Sequence, residues 1–130
     1  RDYTTYQRKA FTLLSSLQTK AAFDLRAEPE RVREKYGRGI NATSMLLARR
    51  LVEAGVPFVS VFWKGDKELD TLCKSGGGWD THGDRTAANV RNMMNTRILP
   101  PLKVFINRMM NLPDRNVVVA IYGGFFGAGQ

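Results

Sequence analysis

The residues best suited to chemistry sit close together, in the stretch Gly76-Gly77-Gly78-Trp79-Asp80-Thr81-His82-Gly83-Asp84. His82 is the sole histidine, and Asp80 lies two positions before it. In an extended segment that spacing turns both side chains to one side. A carboxylate and an imidazole converging there suit zinc or a similar divalent ion. The pair by itself is a weak signal. Asp80 capping a turn and His82 packing on the surface would account for the same two residues. On spacing alone that plainer reading is the stronger, because a catalytic zinc takes about three protein ligands. Further ligands within the chain come down to Asp66, Glu68, Asp70 and Asp84. Cys73, the only cysteine, has no CxxC partner and reads as an incidental thiol.

Other motifs carry less. Gly123-Gly124-Phe125-Phe126-Gly127-Ala128-Gly129 lacks the Gly-Lys-Ser/Thr ending of a phosphate loop and the spacing of a dinucleotide fingerprint, so it reads as a turn or chain end. Asn41-Ala42-Thr43 has the form of a glycosylation sequon, but Asn41 or Thr43 serves more simply as a helix cap. No serine lies on a GxSxG elbow, so no nucleophile is identifiable. Met93-Met94 and Met109-Met110 sit at helical spacing and read as core, as do Trp63 and Trp79.

The elements that would position Asp80 and His82 follow from hydrophobic period. Residues 4–20 predict a helix, with Tyr6, Ala10, Leu13, Leu14 and Leu17 at three- and four-residue steps. Residues 29–36 predict a short helix opened by Pro29 and stopped by Gly37 and Gly39. The next helix carries Met45, Ala48, Leu51 and Val52 on one stripe and ends at Gly55. Val56 to Trp63, VPFVSVFW, is short, aromatic and β-branched, the pattern of a strand buried on both faces. Pro57 fits only near its start or at an edge. After a polar excursion over 64–75, Asp84 can cap a helix with Val90, Met93, Met94, Arg97 and Ile98. Pro100-Pro101 breaks or kinks it before a helix bearing Leu102, Phe105, Ile106 and Met109. A turn over 112–116 leads into VVVAIY, a second buried strand.

This order predicts an α/β fold: a mainly helical part over 1–55 and a βαβ unit over 56–122 with parallel strands and a right-handed crossover. Ligands in such sheets gather beyond the carboxyl ends of the strands. Gly76–Asp84 and Gly123–Gln130 are the segments that would lie there. Two strands apolar on both sides want neighbours, so further strands are expected outside this chain.

Bulk composition excludes little else. The chain has 130 residues, 43% apolar and 25% charged, enough for one domain at most. No stretch approaches the roughly 20 apolar residues of a membrane span. Net charge is +8, but the cations are interspersed with acids, as in Glu28-Pro29-Glu30-Arg31-Val32-Arg33-Glu34-Lys35. That scatter predicts solvated helix faces and argues against a dedicated nucleic-acid site.

Three stretches in order, AAFDLRAEPERVREKYGR (21–38), LLARRLVEAGVPFVSVFW (46–63) and GGWDTHG (77–83), together resemble the DUF1501 family, as does the opening YTTYQRKAFTLLSS. The resemblance covers nearly the whole chain. It implies a place in the alkaline phosphatase and sulfatase superfamily and a partial three-layer α/β/α domain. It also implies an extracytoplasmic location, since many members carry an export signal. The superfamily hydrolyses phosphate or sulfate esters, commonly with two divalent metals. The family's Trp-Asp-Thr-His motif matches Trp79, Asp80, Thr81 and His82, which makes Asp80 and His82 the implied metal ligands.

Two departures stand out. Where the family has a Glu-Phe-Gly-Arg-like or Glu-Met-Gly-Arg-like segment after the second strand, this chain reads Gly123-Gly124-Phe125-Phe126-Gly127. The family's later Asp-His-Gly region and its upstream nucleophile segment lie outside these residues. The expectation is an incomplete domain with a partial site, inactive alone, within a metal-dependent ester hydrolase. The alternatives are a degenerate non-catalytic binding or scaffold module and, less favoured, a basic nucleic-acid-binding domain.

Overall fold

A computed structural model describes residues 3–72, 86–113 and 116–121. Seven α-helices are described: α1 (Tyr3–Ser15), α2 (Leu17–Ala22), α3 (Glu30–Tyr36), α4 (Ile40–Glu53), α5 (Lys67–Leu72), α6 (Ala87–Met93) and α7 (Leu99–Met110). A 3₁₀ turn at Leu25–Ala27 precedes α3, and a π-helical turn at Met94–Ile98 joins α6 to α7.

Local chemistry sets most boundaries. The helix expected over 4–20 is two helices, because Ser16 takes an extended conformation and its side chain accepts from the Thr19 N–H. That is an N-cap, which starts a new helix. Gly37, at φ 95°, ends α3 in a conformation that favours glycine. Gly39, rather than Asn41 or Thr43, stands at the N-cap of α4, and the Asn41 side chain is thereby free for a tertiary role. Thr86 caps α6, its hydroxyl accepting from the Asn89 N–H at 3.2 Å.

The core lies where α3, α4 and α7 meet. Tyr36, Ala42, Met45, Leu46, Ala48, Phe105 and Met109 are buried there. Met93 and Ile98 form a smaller cluster, and Trp63 and Leu102 pack against both. Each methionine pair splits, with Met93 and Met109 buried while Met110 is 80% exposed. Neighbours on a helix point in different directions, so only one of each pair can serve the core.

The α/β expectation is wrong: among the described residues there is no strand, so the parallel pair and its crossover are not found. Residues 56–63 and 116–121 run without ladder pairing. Their apolar side chains are served by helices instead. Val59, Val61 and Trp63 pack on the core at every second residue, and Val117 joins them. Phe58 and Phe62, on the alternate positions, are 79% and 78% exposed. The apolar run 56–63 is therefore half used by helix packing, and among the described residues no segment completes a sheet around it. The helix stripes expected in 40–53 and 99–110 are present. Among the described residues no helix is long and apolar enough to cross a membrane.

Candidate functional site

Asp80 and His82 lie outside the described residues, as do Cys73, Asp84 and Gly123–Gln130. Bordering them, however, is a well-defined polar node built by the residues on either side of 73–85. Its centre is Arg97, whose side chain is fully buried. The prolines at 100 and 101 explain its placement. They remove the N–H groups that would bond the carbonyls of Thr96 and Arg97. The helix widens there into the π turn, with the Leu99 N–H reaching back to the Met94 carbonyl. Such turns are rare and often mark functional positions. Arg97 and Ile98 are both carried inward by this one.

Two segments meet the guanidinium. Asp70 on α5 forms an ion pair with it through Oδ1. The other carboxylate oxygen of Asp70 accepts from the Asp66 N–H at 2.9 Å. Arg97 Nη2 donates to the Lys64 carbonyl at 3.2 Å. Asn41 of α4 grips the same residue from the other side. Its Nδ2 donates to the Lys64 carbonyl at 2.8 Å, and its Oδ1 accepts from the Lys64 N–H at 2.9 Å. Burial pushes the Arg97 guanidinium below its ordinary pKa, and the Asp66 carboxylate works against that shift. Arginine stays charged regardless at physiological pH. A buried charge of this kind is tolerated only when paired. The node therefore joins α4, residues 64–70 and the π turn into one unit. Asn92 adds a tie, donating from Nδ2 to the Leu72 carbonyl at 3.3 Å.

Within the protein Asp70 pairs with Arg97 through Oδ1 and accepts from the Asp66 N–H through Oδ2. Glu68 is exposed and Asp66 is half-buried. Among the described residues no group of three or more histidine, cysteine or acidic side chains comes together.

A second charged cluster lies under α4. Glu28 pairs with both Arg49 and Arg50, and all three side chains are no more than 14% exposed. Arg50 also donates to the carbonyls of Ala22 at 2.8 Å and Ala21 at 2.7 Å, clamping α2 to α4. Glu53 accepts from Arg108 Nε at 2.6 Å, linking α4 to α7. Tyr36 is 1% exposed nearby. Burial pushes its phenol up to about 12, with Arg49 opposing and Glu53 and Glu28 adding to the shift. The expectation of solvated charges thus fails for Glu28, Arg49, Arg50, Asp70 and Arg97. Sequence carried no signal for these pairs, whose partners are 21 to 27 positions apart and on different elements.

Residues 2–127 match the family described as "Protein of unknown function (DUF1501)". This chain belongs to the DUF1501 family. The match runs through the helical core, the Arg97 node and the Trp79–His82 motif alike. No curated protein matches the DUF1501 chain, and no solved structure does. The family description names no activity.

Proposed function

We propose that this DUF1501 chain contributes Asp80 and His82 as ligands of a divalent cation in a phosphate- or sulfate-ester hydrolase. The observation that carries the reading is the Trp79-Asp80-Thr81-His82 sequence, which sets the only imidazole of the chain two residues from a carboxylate. These donor types suit zinc and similar ions. A divalent ion at that place would polarise the ester and stabilise its leaving oxygen. Asp70 pairs with Arg97, and further ligands come from Asp66, Glu68, Asp70 or Asp84, or from polypeptide outside these residues. The reading places the protein outside the cytoplasm, in keeping with the superfamily resemblance, and makes this chain by itself a partial, inactive site.

Metal titration of the chain by calorimetry tests the ligand assignment. Zinc or manganese should bind, and Asp80→Asn or His82→Ala should weaken that binding. Equal binding by all three proteins would remove both residues as ligands. Hydrolysis of generic phosphate and sulfate monoesters by the chain should be negligible. A longer DUF1501 protein containing these residues should hydrolyse one class in a metal-dependent way. Absence of both activities would favour the second reading, a non-catalytic module. Gly123-Gly124, standing where the family has an acid, is the observation that favours it.

A further inference from the structure

Phe58-Val59-Ser60-Val61-Phe62 reads the same in both directions. No charged residue falls between Glu53 and Lys64. Side chains alternate along this run. Val59 and Val61 pack on the core, while Phe58 and Phe62 are 79% and 78% exposed, with Ser60 exposed between them. The backbone is uneven too. The Val56 N–H donates to the Leu51 carbonyl at 3.0 Å, and the Lys64 N–H and carbonyl are both held by Asn41. Among the described residues, no hydrogen bond reaches the peptide groups of Phe58 to Phe62.

Extended backbone left unpaired in this way is a template for another strand. We propose that a second copy of this chain pairs with it, antiparallel and two-fold about Ser60. A two-fold axis demands a stretch that matches itself. This register does so at every position from 58 to 62. Ser60 meets Ser60, each Val59 meets a Val61, and each Phe58 meets a Phe62. Aromatic residues directly opposite one another are stabilising cross-strand pairs. With no charge on the stretch, no like-charge pair arises along it. The helices behind Val59 and Val61 supply the support that an isolated two-stranded ribbon lacks. An unrelated strand would satisfy the backbone; the palindrome selects a second copy.

Sedimentation equilibrium of the 130-residue chain should show monomer and dimer in a concentration-dependent ratio. Each copy carries a net charge of +8, so added salt should raise the dimer fraction by screening the repulsion between copies. Phe58→Lys with Phe62→Lys should abolish the dimer. Both positions are exposed, so this variant should keep the unfolding midpoint of the parent chain. Cross-linking in a Cys73→Ser background reads the register. Residues facing each other across antiparallel strands have Cα atoms about 4.5–5.5 Å apart, within disulfide reach. Ser60→Cys should therefore oxidise to a covalent dimer. Phe58→Cys should not, because it faces Phe62 of the other copy. A chain that stays monomeric at every concentration and salt level overturns the proposal. So does a dimer that survives the double lysine substitution, or equal cross-linking at positions 58 and 60.

Discussion

Helices α1 and α4 are 13 and 14 residues long, and each carries an apolar stripe at helical spacing. Yet α4 buries Asn41, Ala42, Met45, Leu46, Ala48 and Arg49, while α1 buries nothing. The difference lies in what stands opposite. Helix α4 faces α3 and α7, whose Tyr36, Phe105 and Met109 fill the space beside it. Helix α1 meets α2, and every residue of it except Leu13 is exposed. Periodicity therefore specifies a face and leaves the partner open. The same lesson holds for charge. Arg26 and Asp24 pair at 2.9 Å on the surface, whereas Arg97 and Asp70 make the same kind of pair inside.

The comparison breaks or sharpens through mutation. Asp70→Ala should have the largest effect, about 3–5 kcal/mol of lost stability in urea unfolding, because it strands the Arg97 charge in the interior. Asp24→Ala should cost much less, since its ion-pair partner is solvated and only the cap on the Arg26 N–H is lost. A small loss for Asp70→Ala would mean that water reaches Arg97. Met45→Ala on α4 should cost about 2–5 kcal/mol by the same measurement, through lost burial and the cavity left behind.

Tyr36→Phe is a subtler probe. Its hydroxyl is buried with no hydrogen-bond partner among the described residues, so removal should cost less than about 1 kcal/mol and can stabilise. Its pH dependence has a definite sign. The folded chain holds the phenol proton up to about 12, above the ordinary value of 10.0. The folded state thus binds more protons than the unfolded one between those limits, and stability falls as pH rises through that window. Tyr36→Phe should flatten the alkaline loss; an unchanged alkaline limb would assign it to other groups. Leu14→Ala on α1 should have the smallest effect, below about 0.5 kcal/mol in water, since the side chain is 68% exposed. A loss comparable to that of Met45→Ala would show that α1 is packed.

Much of the helical layout was legible in the sequence. The stripe of α4, the proline-induced change near residue 100 and the core positions Met45, Ala48, Phe105 and Met109 follow from spacing alone. VPFVSVFW misled because a short apolar run has no intrinsic partner. It reads as a strand, but a strand exists only through pairing with another, and here Val59, Val61 and Trp63 lean on helices. The candidate ligands Asp80 and His82 were legible as chemistry, and the structural outcome lies outside the described residues. Arg97 was read only as one member of a helical stripe. Its burial depends on the π turn and on Asp70, a residue 27 positions earlier in the chain.

What the sequence determined by itself was local: where helices start and stop, which face of each is apolar, and which motif could bind a cation. Those properties depend on neighbours within a few residues, through backbone sterics, capping and helical period. Tertiary structure alone decided which charges lie inside, which apolar faces remain in water, and that Asp70 answers Arg97. Burial of a charge is settled by the desolvation it suffers and the partner it meets, and both arise only when distant segments pack together.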